Sequence, residues 1–289
     1  VNIKELTGIT PAGTLRLQGD EMSHTGSIKN AWLSAENGHI SGFGEMKDRP
    51  AGKFDKTIDA TGCIIMPSFC DSHSHIVYAG TREEEFIDKI NGLSYEEIAA
   101  RGGGILNSSD LLHDTSEDDL YEQSLARVNE MISHGSGAIE IKSGYGLSVE
   151  DELKMLRVIK RIKETVPAVI RATFLGAHAV GRAYTGRKDE YVSLIINEMI
   201  PQVAGQGLAD FIDVFCDDGF FSPEDMDRIL AEGARFDLRP KVHIDEIAVI
   251  GGMETALRHG ALSVDHLEQT GEEGIKALQG TDTMPTMLP

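Results

Sequence analysis

Cysteine is scarce in this sequence: the 289 residues include three, Cys63, Cys70 and Cys216. Three cysteines cannot build a disulfide framework, and these show no C-x-x-C or similar metal-binding spacing. A reducing cytoplasm is therefore the expected location. Cys70 and Cys216 lie within or at the ends of apolar runs, so we predict buried structural thiols rather than nucleophiles at both positions.

Long apolar runs and positive charge are scarce as well. No segment is apolar enough to span a membrane, and the N-terminal residues show no basic start followed by an apolar core. The formal net charge is -20 at pH 7. Such a surface repels nucleic acid and anionic membranes, so we expect neither as a partner, although a local arginine can still bind a small anion.

The hydrophobic pattern changes near residue 60. Residues 1–60 carry short alternating segments, such as Ile28–Leu33 and His39–Phe43, separated by a turn at Glu36-Asn37-Gly38. This pattern predicts a β-hairpin within part of a small, β-sandwich-like domain. Residues 61–289 instead alternate short apolar strands with longer amphipathic helices, which predicts parallel strands joined by right-handed crossovers.

Seven apolar segments are predicted strands: Cys63–Phe69, Gly137–Lys142, Ile170–Gly176, Phe211–Cys216, Pro240–Ile244, Leu262–Asp265 and Thr283–Leu288. Helices are predicted over about 116–134, 149–165, 187–204, 223–234, 251–259 and 272–279. No dinucleotide-binding fingerprint follows the first strand, which favours a (β/α)8 TIM barrel over a doubly wound sheet. A TIM barrel has eight strands, so we expect strand eight to be missing from residues 61–289.

Histidines stand where several of these strands end, and active-site groups lie at those ends in a TIM barrel. His73 and His75 follow the first strand, and side chains at i and i+2 on a strand point to the same side. One H-x-H pair is a weak signal, but His243 and His266 at later strand ends strengthen it. Imidazole ligands suit zinc, iron or nickel rather than magnesium or calcium. The constellation predicts a metal site with His243 as the third ligand, rather than a core histidine bonded to a carbonyl.

Other strand-end residues suit substrate and proton chemistry. Glu246 follows His243 by three residues and is a natural general acid or base beside a metal; the alternative is an acid at a helix N-terminus. His266 is expected to hydrogen-bond the attacking water or the reacting carbonyl, unless it caps a helix. Arg82 can hold a substrate carboxylate, unless it is a solvated surface residue. Tyr145 lies in a glycine-rich loop, where the backbone can approach a ligand closely.

The number of metal ions depends on lysine. Binuclear centres of this chemistry need a lysine on strand four as a bridge, and the predicted strand four ends in Phe215-Cys216-Asp217. One metal ion is therefore predicted. Lys142 is a possible substitute bridge, but it belongs to strand two.

Together these residues resemble the imidazolonepropionase family of the amidohydrolase superfamily. The family-specific segments are Glu140–Leu147 (EIKSGYGL) and Thr173–His178 (TFLGAH), and the other matching segments are Asp71–His75, Gly80–Glu83, Gly102–Ile105 and Pro285–Pro289. The likeness covers nearly the whole chain from about residue 28. The H-x-H motif by itself would indicate only the superfamily.

The resemblance implies hydrolysis of 4-imidazolone-5-propanoate to N-formimidoyl-L-glutamate: metal-activated water attacks the ring carbonyl, and the ring C–N bond breaks. It also implies one divalent metal, zinc or iron, as cofactor, and we expect a homodimer. The implied roles are metal ligation (His73, His75 and His243), substrate contact (Arg82, Tyr145, His178 and Glu246) and proton transfer (Glu246 and His266).

The chain departs from the family pattern, and two alternatives stay open. Pro67-Ser68-Phe69-Cys70 stands where the family has Pro-Gly and an aliphatic residue, which we expect to be harmless. The family's fourth metal ligand is an aspartate on strand eight, which lies beyond the predicted strands. The family also builds its small β-domain from both termini, so the resemblance implies that the returning β-strands are missing as well. The chain could be another cyclic-amide hydrolase or a deaminase of the superfamily, or a non-catalytic amidohydrolase-like scaffold. Arg82 with Tyr145 and His178 suits a carboxylate-bearing imidazolone and argues against the first alternative. The presence of His73, His75 and His243 argues against the second, because a non-catalytic scaffold typically loses these histidines.

Overall fold

The computed structural model describes residues 1–81, 83–93 and 104–288. The chain forms two compact units, Val1–Ser68 and Phe69–Pro289. The strands are β1 (Ile3–Ile9), β2 (Gly26–Glu36), β3 (His39–Glu45), β4 (Ile64–Ile65), β5 (Phe69–Asp71), β6 (Ser136–Lys142), β7 (Val169–Ala177), β8 (Phe211–Cys216), β9 (Arg239–Ile244), β10 (Ser263–His266) and β11 (Met284–Met287). The α-helices are α1 (Glu83–Ile90), α2 (Ile105–Asp114), α3 (Glu117–Ser133), α4 (Val149–Thr165), α5 (Lys188–Leu194), α6 (Ile200–Gly205), α7 (Pro223–Ala234), α8 (Gly252–Arg258) and α9 (Glu272–Leu278), with a π-helical turn at Ile195–Met199 between α5 and α6.

The first unit is a four-stranded sheet in the order β3-β2-β1-β4. Strands β2 and β3 pair antiparallel as a hairpin. Its turn residues Asn37 and Gly38 have φ values of 51° and 79°, which tight hairpin turns require at both central positions. The predicted hairpin is therefore confirmed. A small apolar cluster that includes Ile3, Leu6 and Ala31 is buried on this sheet.

The second unit is built on one seven-stranded sheet in the order β11-β10-β9-β8-β7-β6-β5. All neighbouring strands pair in parallel. Six of the seven predicted strands are confirmed, with ends shifted by a few residues, and the helices lie between them in the chain as predicted. Among the described residues the sheet is open between β11 and β5, which is the arrangement of a partial barrel. Its apolar core packs the sheet against α3, α4 and α7.

The first predicted strand is wrong. Cys63–Phe69 is not one strand, because Ile64–Ile65 pairs with β1 in the small sheet and Phe69–Asp71 pairs with β6 in the large one. Pro67 lies between the two pieces, and proline cannot donate a backbone hydrogen bond to a sheet.

The cysteine prediction holds at one of two positions. Cys216 is buried, but Cys70 is exposed. Cys70 lies on β5, which within the described residues pairs with β6 alone, so the other edge of this strand has no neighbour there.

Serine caps begin the helices that frame the large sheet. The hydroxyls of Ser116, Ser148 and Ser222 accept the backbone N–H three residues on, at the starts of α3, α4 and α7. Acidic residues fill the first turn of each of these helices, where they complement the helix dipole. No helix within the described ranges has the length and apolarity to cross a membrane.

Candidate active site

Five of the predicted site residues are histidines, and four of them meet at the carboxyl ends of the parallel strands. Ring nitrogens of His73, His243 and His266 lie within 4.8 Å of one another. His75 joins this group, because its Nε2 lies 3.3 Å from Nε2 of His243. The strand ends therefore bring together side chains that are up to 193 positions apart in the sequence, as barrel-type sheets do.

Two buried aspartates orient two of these rings. Nδ1 of His73 lies 2.8 Å from Oδ2 of Asp265, and Nδ1 of His243 lies 2.8 Å from Oδ2 of Asp213. A carboxylate at Nδ1 holds the proton on that nitrogen and leaves the Nε2 lone pair free. This carboxylate–histidine pairing is typical of metal-ligating histidines.

The free nitrogens fit a metal ion. Two nitrogens bound to one tetrahedral zinc at about 2.1 Å lie about 3.4 Å apart, close to the 3.3 Å between the Nε2 atoms of His75 and His243. Nε2 of His73 is buried and has no hydrogen-bond partner among the described residues. Buried polar atoms without a partner are rare and call for an explanation, which an ion supplies here.

Burial keeps the imidazoles of His75, His178 and His243 neutral near pH 7, and the neutral imidazole is the form that binds metals. Burial lowers the pKa of His243 to about 3, although Asp213 opposes the shift. Burial, followed by the nearby histidines, lowers the pKa of His75 well below its ordinary value. Burial also lowers the pKa of His178 to about 4.

Glu246 and His266 face each other beside the histidine group. Oε2 of Glu246 lies 3.4 Å from Nδ1 of His266. Burial raises the pKa of Glu246 above its ordinary value, although His266 opposes the shift. The backbone is strained in the two turns that carry Glu246 and His266, because Asp245 (φ 55°), His266 (φ 89°) and Leu267 (φ 70°) adopt left-handed conformations. Such strain clusters at functional sites.

Asp217 holds the loop that carries Glu246. Its carboxylate accepts the backbone N–H groups of Glu246, Ile247 and Ala248 at 2.8, 2.9 and 2.9 Å. Because one carboxylate fixes three successive amides, the loop has little freedom to shift Glu246 relative to His266.

Tyr145 and His178 flank His75 on the other side of the site. The rings of His75 and His178 are stacked with centroids 5.2 Å apart, and Tyr145 lies 5.3 Å from His178 and 5.8 Å from His75. A cavity of about 360 Å³ opens here, lined by His75, Tyr78, Thr81, Glu83, Ser108 and Tyr145. This volume suits a small-molecule substrate.

Glu152 fixes the loop that carries Tyr145. The buried carboxylate of this α4 residue accepts the backbone N–H groups of Gly144, Gly146 and Leu147 at 3.1, 2.8 and 3.0 Å. Burial raises the pKa of Glu152 to about 7, against the opposing effect of these donors and of Ser143. At Gly144 (φ 112°) any side chain would be strained and would meet the His178 ring.

Arg82 lies outside the described residues, as do Gly102 and Gly103. Its expected contact with a substrate carboxylate therefore stays a prediction. The other predicted site residues lie in the second unit, at the strand ends or the loops that follow them.

Lys142 does not suit the role of a bridge between metals. Its ammonium is fully buried and donates to Glu140 Oε1 and Asp213 Oδ2, both at 2.9 Å. Burial acts to lower the pKa of Lys142, but Asp213, Glu140 and Asp265 outweigh it and raise the pKa above its ordinary value. A protonated amine has no lone pair for a metal, so Lys142 is not supported as a bridge, and a single metal ion stays a prediction.

The sequence reasoning missed several residues that organise the site, above all Asp213, Glu140 and Glu152. Asp213 and Glu140 interrupt apolar strands (FIDVFC and AIEIK), and a charged residue amid a buried strand is a usable signal, since charges are rarely buried without a partner. Glu152 has no such signal, because acids are common in the first turn of any helix.

No protein-family model matches the chain. Among curated proteins, it is 53% identical over 288 residues to an imidazolonepropionase of Christiangramia forsetii, a match that covers 100% of this chain and 70% of that protein. The chain belongs to the imidazolonepropionase family. An imidazolonepropionase of Geobacillus kaustophilus is 41% identical over 291 residues, covering 99% of this chain and 69% of that one. The chain is thus an enzyme of a hydrolase family, as the resemblance predicted.

Solved structures with the same fold belong to the amidohydrolase superfamily. A triazine hydrolase from Arthrobacter aurescens superposes with a TM-score of 0.71 at 14% identity, over 99% of this chain and 64% of that chain. A 5-methylcytosine deaminase from Klebsiella pneumoniae gives a TM-score of 0.64 at 14% identity, over 88% of this chain and 61% of that chain. At these identities the likeness establishes the fold. Imidazolonepropionases thus share it with hydrolases and deaminases, and the chain spans somewhat less than two thirds of these solved chains.

Proposed function

We propose that this imidazolonepropionase-family chain hydrolyses 4-imidazolone-5-propanoate to N-formimidoyl-L-glutamate in histidine catabolism. The family relationship supports this reaction. The observation that carries the chemistry is the 3.3 Å separation of Nε2 of His75 from Nε2 of His243, beside the unpartnered Nε2 of His73.

His73, His75 and His243 would hold one divalent ion, zinc or iron, both of which accept imidazole ligands. A solved atrazine chlorohydrolase from Arthrobacter aurescens with this fold (TM-score 0.64) is complexed with zinc. When bound, such an ion lowers the pKa of a water molecule toward about 7 and polarises a carbonyl.

Glu246 and His266 would manage the protons. Glu246 takes a proton from water as the water oxygen bonds to the ring carbonyl carbon. It then gives this proton to the ring nitrogen as the C–N bond breaks. The raised pKa of Glu246 suits a group that must both accept and donate a proton. His266, whose Nδ1 lies 3.4 Å from both Glu246 and Glu268, would orient the Glu246 carboxylate and hydrogen-bond the reacting oxygen.

Arg82, Tyr145 and His178 would bind the substrate. The cavity beside Tyr145 has room for the imidazolone ring and its propionate arm. Nδ1 of His178 donates to the carbonyl of Gly144 at 3.0 Å, which leaves its other nitrogen to accept a hydrogen bond from the ring. The guanidinium of Arg82 would pair with the propionate carboxylate.

For the fold, we propose that the first unit, predicted as residues 1–60 and reaching Ser68 in the structure, is part of a small β-domain, and that the second unit, predicted as residues 61–289, is an incomplete (β/α)8 barrel. An eighth strand would pair with both β11 and β5, the edges that the sheet leaves open among the described residues. A homodimer in the cytoplasm remains the expected state.

Product analysis tests the function and separates it from its alternative. Full-length protein supplied with 4-imidazolone-5-propanoate should form N-formimidoyl-L-glutamate without releasing ammonia. A deaminase of the same superfamily would release ammonia from an amino-substituted ring instead. No turnover of the imidazolone, with ammonia release from a cyclic amidine, would refute the proposal.

A further inference from the structure

Lys142 is a buried cation beside the histidines, and the proposed reaction gives it no role. Its side chain is 0% exposed, and its ammonium lies 2.9 Å from Asp213, 2.9 Å from Glu140 and 3.7 Å from Asp265. Each of these three carboxylates contacts either a histidine ring or the backbone between His73 and His75.

Asp213 and Asp265 lead directly to rings. Asp213 approaches Nδ1 of His243 at 2.8 Å and also accepts that residue's backbone N–H at 3.1 Å. Asp265 bonds Nδ1 of His73 at 2.8 Å. The same Oδ2 atom of each aspartate that meets the ring also faces the ammonium of Lys142.

Glu140 leads to the segment between His73 and His75. Its Oε2 accepts the backbone N–H of Ser74 at 3.4 Å, and its backbone carbonyl accepts the Ser74 hydroxyl at 2.6 Å. The backbone N–H of Lys142 itself donates to the carbonyl of Ser74 at 2.9 Å. Lys142 therefore lies where the supports of all three histidines meet.

We propose that Lys142 is a positioning residue for the metal centre: its ammonium holds Asp265 and Asp213 2.8 Å from Nδ1 of His73 and Nδ1 of His243, so that the Nε2 lone pairs face one ion. The inference rests on the proposed function, since it takes these histidines as the ligands. Two carboxylates this deep in the protein repel each other strongly without a shared cation, and a ligand's hydrogen-bond partner fixes its ring orientation.

The neighbouring Lys241 does not duplicate this role. Its ammonium donates to the hydroxyl of Ser263 at 2.6 Å and lies 3.6 Å from Asp265. Within the described part of the chain, Lys142 is the lysine whose ammonium lies within ion-pair distance of both aspartates.

Metal affinity tests the proposal in the full-length protein. In Lys142→Met, Zn²⁺ affinity measured by competition with a chelator should fall roughly tenfold, the lower end of the loss seen when a ligand's own partner is removed. Lys142→Arg keeps the cation and should recover part of that loss. Thermal unfolding of each metal-free variant reports whether it is folded.

Lys154→Met is the matched control. Lys154 is another lysine on the same unit with little exposure, but its ammonium donates to the carbonyls of Leu112 and Thr115 and pairs with Asp151. This variant loses a buried cation without touching the histidine supports, so its Zn²⁺ affinity should match that of the wild type.

The outcomes separate this inference from the proposed function. A wild type that binds no metal refutes the metal centre and this inference with it. A wild type that binds metal, with equally tight binding by folded Lys142→Met or an equal loss in Lys154→Met, overturns the role of Lys142 alone. If Lys142→Met does not fold, ¹H–¹⁵N spectra of the metal-free wild type decide: the Nδ1–H tautomer at His73 and His243 supports the proposal, and the Nε2–H tautomer at either overturns it.

Discussion

Asp217→Asn should destabilise the protein and slow catalysis together. Asp217 is 2% exposed, and its two oxygens accept four backbone N–H groups. Oδ2 accepts those of Glu246 and Ile247 at 2.8 and 2.9 Å, and Oδ1 accepts those of Ala248 and Asp218 at 2.9 and 2.7 Å. Asparagine has the same shape but replaces one oxygen with an amino group, so either orientation leaves two amides without an acceptor.

The size of the effect follows from that count. A buried donor left without a partner costs about 1–3 kcal/mol, so two should lower the free energy of unfolding by about 2–6 kcal/mol. The same loop carries Glu246, and displacing a catalytic group by about 1 Å can cost up to about 100-fold in rate. We expect kcat to fall toward that limit.

Denaturant unfolding and steady-state kinetics with imidazolone propionate measure both effects. Asp218→Asn is the control, because the adjacent Asp218 is exposed and the same change there should alter stability by no more than about 0.5 kcal/mol. Wild-type stability and kcat in Asp217→Asn would refute the idea that this carboxylate fixes the Glu246 loop.

Three further predictions address substrate binding, proton transfer and pH. Arg82→Met should lower kcat/KM for imidazolone propionate by a factor equivalent to roughly 2–4 kcal/mol of transition-state stabilisation, chiefly through a higher KM, since it removes the partner of the propionate; unchanged kcat/KM would exclude this role. Glu246→Gln should lower kcat by about 10²- to 10⁴-fold while metal content by elemental analysis stays that of the wild type; full activity would remove Glu246 from the mechanism. Because the pKa of Glu152 is raised from 4.5 to about 7, its contribution to stability is complete below pH 4.5 and is lost as the pH rises through 7. Relative to Glu152→Gln, the wild type should therefore lose about 3 kcal/mol of unfolding free energy between these pH values, and a constant difference would contradict the shift.

Strand ends were the most predictable part of this molecule. In a parallel sheet with helical crossovers, the carboxyl ends of all strands lie on one side, so placing His73, His243 and His266 at strand ends was enough to bring them together. That argument needs approximate strand positions and no knowledge of side-chain packing. It held even though the strand before His73 was drawn in the wrong place.

The split of Cys63–Phe69 between two sheets was harder to see. The segment is apolar throughout except for Ser68, and an apolar pattern alone cannot tell one buried strand from two short ones in different sheets. Pro67 was the signal available, because proline interrupts the hydrogen bonding of a strand.

The contacts that hold the histidines and the Glu246 loop in place could not be predicted from the sequence, for a different reason. Asp213 pairs with Lys142, 71 positions away, and Asp217 holds amides 29 to 31 positions away. Such contacts depend on which side chains the folded sheet places in its interior, and no local sequence pattern records that. A buried charge in a strand can be recognised from sequence, but its partner cannot.

The most direct test of this account is the metal content of the purified full-length protein, measured by elemental analysis beside its activity on imidazolone propionate. We predict about one equivalent of zinc or iron per chain in active enzyme, and loss of both metal and activity in a folded His243→Ala variant. Active enzyme with no metal, or with close to two equivalents, would contradict a single ion held by His73, His75 and His243.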